Sequence, residues 1–198
     1  IQQALLPTES PKIAGANFAW KLKPCEELAG DILNVFALDD RHVAAYVLDV
    51  SGHGVSAALL SVAVSRQLSP PPDSSSILFG QVSRSNKRSL TPPADVARQL
   101  NRRFPWDPQT RQFFTLVYGI LDCDTGVFNY VTAGHPGPLH LSGSSEPAVL
   151  ENPSFPIGMM PDADYVEQST VLAPGDRLLL NSDVITDVYN PEREIFGV

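Results

Sequence analysis

Residues 31–54 read DILNVFALDDRHVAAYVLDVSGHG, and two apolar runs in this stretch flank a short charged turn. We predict strands over Ile32 to Leu38 and His42 to Leu48, paired as an antiparallel hairpin. Partners in such a hairpin lie at equal distances from the centre of the turn, so Asp31 falls opposite Asp49. The two Cβ atoms would then be about 5 Å apart.

Two carboxylates that face each other on neighbouring strands repel, and a cation between them relieves that repulsion. Oxygen ligands at this spacing favour a hard divalent ion such as Mg²⁺ or Mn²⁺. The pair Asp31 and Asp49 therefore predicts a divalent metal site. One alternative stays open, because a bulge or a two-residue turn would shift the register by one residue and leave two ordinary turn aspartates.

The composition is typical of one globular domain, with 198 residues, 43% hydrophobic and 18% charged. A net charge of −8 argues against nucleic acid as the main partner, since binding to phosphate backbones needs a basic surface. No apolar run approaches the roughly 18 residues of a membrane span, so we expect no membrane contact. Cys25 and Cys123 lack CxxC spacing, which favours reduced thiols in a cytoplasmic protein, although a single disulfide stays open.

Hairpins dominate the rest of the pattern. The helices that we predict are Val55 to Leu68, which should be buried on most sides, and Ala94 to Arg103. Between them, residues 69–93 are predicted to be a loop with at most a short helix at Ile77 to Val82. The further predicted strands are Asn17 to Lys23, Phe113 to Leu121, Val127 to Thr132, Leu139 to Leu141, and a last hairpin of Val166 to Leu172 with Arg177 to Ser182. Without βαβ alternation, the class is α+β with largely antiparallel sheet.

A third aspartate follows an apolar run near the end of the chain. Asp183 comes after LLLNS at residues 178–182, so it lies at the mouth of a predicted strand, as Asp31 and Asp49 do. Three carboxylates at strand ends can converge on one cleft. Taken singly, each of them also fits the role of a turn cap.

Five short motifs occur in order along the chain. They are AGD at 29–31, DVSGHG at 49–54, AGHP at 133–136, PIG at 156–158 and LNSD at 180–183. In order and spacing they resemble the GGD, DxSGHG, AGH, PLG and LYTDG motifs of the metal-dependent serine/threonine protein phosphatases (PPM family), in the bacterial SpoIIE/RsbU-like branch. QALLP at residues 3–7 is similar to the QxxLLP that ends a linker helix in this branch.

The resemblance implies an antiparallel β-sandwich flanked by helices, the αββα architecture of the family, with two Mn²⁺ or Mg²⁺ ions at one edge. Asp49 would bridge both ions, and Asp31 would bind one of them. The backbone carbonyl of Val50 would be a further ligand, and Asp183 would hold the other ion. These residues form the predicted catalytic and metal-binding set.

The chemistry expected of such a site is phosphate ester hydrolysis. Two ions lower the pKa of a bridging water and clamp the phosphoryl oxygens, so that hydroxide attacks phosphorus in line. Gly52 and Gly54 are expected to let the backbone run close to the metals and turn into the next helix, whose free N–H groups favour phosphate. His53 is either a general acid for the leaving alkoxide or a support for its loop, and His135 is expected to orient its own loop.

The resemblance also implies a domain organisation. Residues 1–7 would end a linker helix from an upstream receiver or sensor domain, and residues 8–198 would form a phosphatase domain that lacks its last helix and strand. The chain departs from the family pattern at Asn34, where a second aspartate is usual, and at Val184, where glycine is usual. It also stops before a late Asp-Asp segment, so the site would be one carboxylate short.

Three functions are compatible with these features. The first is a protein phosphatase for phosphoserine or phosphothreonine, with a phosphorylated anti-sigma-factor antagonist as its expected substrate and a homodimer as an option. The second is a degenerate phosphatase fold that acts as a non-catalytic protein-binding adaptor. The third is a metal-dependent hydrolase of small phosphate esters, for which the sequence offers no nucleotide-binding loop.

Overall fold

The structure is a computed structural model that describes residues 6–23, 29–69, 76–82, 88–143, 146–183, 188 and 190–195. Most of the predicted helix of residues 1–7 lies outside these ranges, as do Cys25 and Val184. The strands are β1 Ile32–Ala37, β2 His42–Val50, β3 Phe79–Val82, β4 Arg88–Leu90, β5 Phe114–Asp122, β6 Val127–Ala133, β7 Leu139–Leu141, β8 Ala148–Val149, β9 Gln168–Val171 and β10 Arg177–Leu179. The helices are α1 Val55–Gln67 and α2 Pro93–Arg103.

Three sheets account for these strands. The largest has the order β1-β2-β5-β6-β9, a second has the order β10-β7-β8, and the third consists of β3 and β4. Every one of these strand pairs is antiparallel. The predicted α+β class with antiparallel sheet is therefore confirmed.

The β1–β2 hairpin has the predicted register. Its pairs run from Ile32 opposite Leu48 to the turn, without a bulge. The Asp39 carboxylate holds that turn, because it accepts hydrogen bonds from the backbone N–H groups of Arg41 (3.0 Å) and His42 (2.8 Å). Asx turns of this kind fix the direction of the chain locally.

Both helices cover one face of the five-stranded sheet. Side chains alternate along a strand, so one face of β2 and β5 carries a purely apolar and aromatic set. The helices supply the other half of this core, and the buried residues are Ala44, Tyr46, Leu48, Leu116, Tyr118, Ala57, Val64, Leu68, Val96, Ala97 and Leu100. In the described part of the chain, neither helix is long and apolar enough to cross a membrane.

The prediction that the first helix is buried on most sides was wrong. Only one face of α1 packs on the sheet, and the opposite face exposes Val55 and Leu59, at 62% and 65% of their surface. The residues on this helix are small or apolar nearly all round, so its composition does not distinguish the packed face from the outer one.

The second sheet joins the other face of the five-stranded sheet through β6. The segment after β8 crosses this strand, where the Tyr130 hydroxyl donates to the carbonyl of Leu150 (3.4 Å) and the Thr132 hydroxyl donates to the carbonyl of Asn152. Ser154 also donates its hydroxyl proton to the backbone of Thr132. The described layers are therefore the two helices, the five-stranded sheet and the second sheet. The second helical layer of the predicted αββα architecture is not found among the described residues.

Two local predictions were wrong. Residues 17–23 form no strand, although Phe18, Trp20 and Leu22 are half-buried and alternate with exposed neighbours. This alternation reflects which side chains are buried. An extended segment can bury alternate side chains without forming hydrogen bonds to a neighbouring strand. Residues 79–82 form strand β3 and not a helix, and a Cβ on Gly80 would lie 2.6 Å from the hydroxyl oxygen of Ser89 on the partner strand.

The last predicted hairpin is also wrong, because β9 and β10 are not partners. β9 pairs with β6, whereas β10 pairs with β7 in the other sheet. The turn between them is a corner held by Asp176, which accepts hydrogen bonds from the N–H of Ala173 (3.0 Å) and from Nε2 of His140 (2.9 Å). The turn was recognisable from sequence, but the change of sheet was not.

We predict that Asp176→Asn lowers the melting temperature more at pH 7 than near pH 3. The hydrogen bond from His140 and that from the N–H of Ala173 lower the pKa of Asp176. The carboxylate therefore contributes stability above the ordinary carboxyl pKa, and this contribution is lost as the pH falls through the lowered pKa. Thermal unfolding at the two pH values measures the difference, with the exposed Asp162→Asn as a control. Equal losses at both pH values would contradict it.

Candidate metal centre

The end of the β1–β2 hairpin brings Asp31 and Asp49 into contact. Their carboxyl groups lie within hydrogen-bonding reach of each other, and two carboxyl groups can form such a bond only when one of them carries a proton. Burial raises the pKa of Asp49 well above its usual range, and the hydrogen bond and charge of Asp31 raise it further. The pair therefore holds less negative charge in the metal-free protein than two free carboxylates would.

Asp183 lies near this pair. It follows β10, its side chain is exposed, and its negative charge also contributes to the raised pKa of Asp49. Within the described residues, however, no group of three or more His, Cys, Asp or Glu side chains is arranged to hold a metal ion. The structure thus brings Asp31 and Asp49 into contact and places Asp183 near enough for its charge to act on Asp49. The described side chains do not form a complete set of metal ligands.

The carbonyl of Val50 lies beside the pair because residue 30 is glycine. A Cβ at Gly30 would come within 2.8 Å of the Val50 carbonyl oxygen and 3.4 Å of the Asp49 carboxylate. The first of these distances is too short for any side chain. Gly30 therefore permits the Val50 carbonyl to lie close to the carboxylates of Asp31 and Asp49. The AGD motif contains this residue, but its steric role was not predicted from the sequence.

The SGHG loop extends the sheet and then turns into α1. Ser51 donates its N–H to the carbonyl of Phe113 (2.9 Å), and its hydroxyl accepts from the N–H of Phe113 (3.0 Å). Gly52 and Gly54 then have φ values of 90° and 80°, which disfavour any other residue. No described atom lies within 4 Å of a Cβ at either position, so backbone conformation alone accounts for these two glycines.

The same loop leaves the start of α1 without a side-chain cap. The helix begins at Val55 after Gly54, and its first turn holds no acidic residue. Free N–H groups at a helix start attract anions. His53 is exposed beside them. The start of α1 therefore has backbone N–H donors without a side-chain cap, and the predicted phosphate binding there stays a prediction.

A buried histidine lies behind the carboxylates. Nδ1 of His135 is 2.8 Å from the hydroxyl of Thr115, which is paired with Asp49 across β2 and β5. Nε2 of His135 is 3.1 Å from the carbonyl oxygen of Asn181, two residues before Asp183. Burial lowers the pKa of His135 to about 4, so the ring is neutral at pH 7. The sequence predicts only that this histidine orients its own loop.

Asn34, the departure from the family pattern, lies on the other face of the sheet. It pairs with Tyr46, one of the residues that face the helices. Asp31 is three positions away, and residues an odd number apart on a strand point to opposite faces. An aspartate at position 34 would therefore not join the Asp31 and Asp49 pair in this structure.

The sequence profile of the family described as Stage II sporulation protein E (SpoIIE) matches residues 39–198. This chain belongs to the SpoIIE family. The predicted resemblance to the SpoIIE/RsbU-like branch of the PPM phosphatases is thereby confirmed. The match includes both helices and four of the five motifs, and AGD at 29–31 lies before it.

Individual relatives agree with this membership. Over 161 residues, the SpoIIE-family chain is 30% identical to the phosphoserine phosphatase RsbP of Bacillus subtilis (strain 168), an alignment that covers 81% of this chain and 37% of RsbP. The chain spans between 33% and 51% of the length of three curated relatives that it matches.

Solved structures show the same fold. The SiaA-PP2C domain of Pseudomonas aeruginosa superposes with a TM-score of 0.69 at 19% identity, over 89% of this chain and 65% of that one. The RsbU and RsbW domains of Rv1364c from Mycobacterium tuberculosis give a TM-score of 0.58 at 25% identity, over 91% and 44%. The SpoIIE-family chain therefore has a PP2C-like phosphatase fold.

We predict that Asp49→Asn stabilises the metal-free protein at pH 7 by about 1 kcal/mol, after allowance for solvent screening of a partly exposed pair. A carboxyl whose pKa is raised by folding keeps its proton in the native state after the unfolded state has lost it. Stability therefore falls as the pH rises from the ordinary carboxyl pKa towards the raised one. Asparagine does not ionise, so the Asp49→Asn protein does not lose this stability as the pH rises.

Urea unfolding in EDTA between pH 4 and pH 9 measures the effect. Asp122→Asn is the matched control, because the hydrogen bond from the N–H of Asp124 and the charge of Arg41 outweigh burial and lower the pKa of Asp122. That control is expected to destabilise the protein at pH 7. A destabilised Asp49→Asn protein in EDTA would contradict the prediction.

Proposed function

We propose that this chain is a divalent-metal-dependent phosphatase domain that hydrolyses phosphoserine or phosphothreonine in a partner protein. The observation that carries the proposal is the contact between Asp31 and Asp49 at the edge of the sheet, beside the carbonyl of Val50. Such a pair is stable as two carboxylates only with a cation between them. Membership of the SpoIIE family and the similarity to a phosphoserine phosphatase support the same assignment.

The donors present are of the chemical kind that two Mn²⁺ or Mg²⁺ ions would use, although the described carboxylates do not form a complete ligand set. Asp49 would bridge the ions, Asp31 and the Val50 carbonyl would complete one side, and Asp183 would hold the other. All of these donors are oxygens, which is the ligand type that hard divalent ions prefer. When bound, the ions would lower the pKa of a bridging water and neutralise phosphoryl oxygens.

The chain's own groups would position the substrate. The uncapped N–H groups at the start of α1 would accept the phosphate, with Gly52 and Gly54 setting the direction of the loop. His53 would either protonate the leaving alkoxide or support the loop.

The proposed substrate is a phosphorylated anti-sigma-factor antagonist in the cytoplasm, controlled by an upstream receiver or sensor domain. This part rests on analogy within the SpoIIE family. A homodimer through the linker helix of residues 1–7 belongs to the same proposal.

A second function is a non-catalytic adaptor. The observation that favours it is the incomplete carboxylate set, since Asp183 is exposed and does not close a ligand cluster with the other two. An adaptor would keep the fold and its partner surface without metal affinity. The position of Asn34 on the helix-facing side gives no support to this alternative, because that residue lies on the face of the sheet opposite the pair.

We predict that Mn²⁺-dependent hydrolysis falls on the order of 100-fold or more in Asp49→Asn and Asp183→Asn, because each removes a direct metal ligand. The protein is assayed at its full natural length on p-nitrophenyl phosphate and on a phosphoserine peptide. Asp162→Asn, on an exposed turn, is the control with activity unchanged. Equal inactivity of all proteins, with partner binding intact, would indicate the adaptor.

The role of His53 is separable by the leaving group. If the imidazole protonates the alkoxide, His53→Gln slows hydrolysis of a phosphoserine peptide about 100-fold but has little effect with p-nitrophenyl phosphate, whose phenolate leaves without a proton. A loop support predicts equal losses with both substrates. The ratio of kcat/KM values for the two substrates measures the difference.

A further inference from the structure

The proposed metal ligands come from two different sheets. Asp49 lies on β2 of the five-stranded sheet, whereas Asp183 follows β10 of the three-stranded sheet. In the described residues, no strand ladder joins β10 to the five-stranded sheet. The separation of these two carboxylates is therefore not fixed by backbone pairing, and some other contact has to set it.

His135 makes such a contact on both sides. Its Nε2 lies 3.1 Å from the carbonyl oxygen of Asn181. A carbonyl can only accept, so Nε2 carries the proton of the neutral ring, and Nδ1 is left to accept the hydroxyl proton of Thr115 at 2.8 Å. Thr115 is the cross-strand partner of Asp49, and Asn181 lies two residues before Asp183.

The histidine itself has little freedom to move. Its side chain is buried, at 8% exposure. The preceding Gly134 has a φ of 66° and is bridged to Leu116 of β5, and a Cβ at this glycine would lie 2.4 Å from the Pro156 side chain. The AGHP turn is thus locked against the five-stranded sheet, and the imidazole projects from a fixed base.

We propose that His135 is a positioning residue that holds the backbone of residues 181–183 at a set distance from Asp49. It acts through the Asn181 carbonyl and touches neither the substrate nor the proposed ions. The role of this contact in metal binding rests on the proposed function. The contact between His135 and Asn181 itself can be tested without metal. The hydrogen bond to Asn181 is the one that matters for the Asp183 segment, and the bond from Thr115 orients the ring.

Two isosteric variants separate these two bonds. The amide of glutamine reaches about as far as Nε2, so His135→Gln keeps a donor for the carbonyl of Asn181. The shorter amide in His135→Asn reaches only as far as Nδ1 and keeps the partner for Thr115. His140→Ala is the matched control, because His140 holds the start of the same strand β10 through Asp176 and makes no contact with residues 181–183 in the described hydrogen bonds.

We predict that, in EDTA, the backbone amides of residues 181–183 lose order in His135→Asn. Their NMR order parameters should fall from about 0.85 to below about 0.6, with those of β10 unchanged. His135→Gln should stay near the wild-type values. His140→Ala should lower the melting temperature and leave these amides ordered. Unchanged order in His135→Asn, or an equal loss in His140→Ala, would overturn the proposal.

Mn²⁺ titration by calorimetry gives the second measurement. The affinity is expected to fall about 10- to 100-fold in His135→Asn and to recover in His135→Gln, the effect typical of groups that orient ligands. A loss in His135→Asn matched by an equal loss in His140→Ala would overturn the role in positioning. Failure of the wild-type protein to bind Mn²⁺ would contradict the proposed function instead, and the order parameters would still decide whether His135 holds the segment.

Discussion

The repulsion between the Asp31 and Asp49 carboxylates is the constraint on which the site depends. The β1–β2 register places them opposite each other, and burial makes their charge costly. The neighbouring features follow from this contact, since Gly30 admits the backbone, the Val50 carbonyl adds a third oxygen, and an exposed carboxylate lies within electrostatic reach. The metal-free fold tolerates the pair by retaining a proton, at the expense of stability.

The five-stranded sheet supplies the rigid part of the molecule. One face is sealed by the two helices over an apolar core, and the other face carries the carboxylates at its edge and receives the second sheet through side-chain hydrogen bonds from β6. At this junction, the strands of the five-stranded sheet fix Asp31 and Asp49 in place. The segment that carries Asp183 depends on a few polar contacts instead. His135 is one of these, and its neutral state lets both ring nitrogens take part.

Local pattern was sufficient for the parts of the fold that depend on neighbouring residues. The hairpin register followed from two apolar runs around an acidic turn. The bounds of α1, α2 and β5 to β7 differ from the predicted ones by at most one residue at each end. Strand partners were harder, because the corner at Asp176 sends β10 to a different sheet through contacts remote in sequence. The link from Thr115 to Asn181 was not predictable for the same reason, as it joins three separate segments. Family motifs identified the carboxylates but not the steric role of Gly30.

The turn held by Asp39 has a consequence for how such a chain can evolve. A one-residue insertion or deletion at residues 39–41 would slide β1 against β2 and reverse the face on which every side chain of one strand points. The carboxylates lie at the other end of the hairpin, roughly 24 Å away by strand rise. Selection for the Asp31 and Asp49 pair would therefore also act on the length of the solvent-facing loop at residues 39–41, which does not contact the pair. This loop would tolerate insertions and deletions poorly, although its position on the surface suggests the opposite.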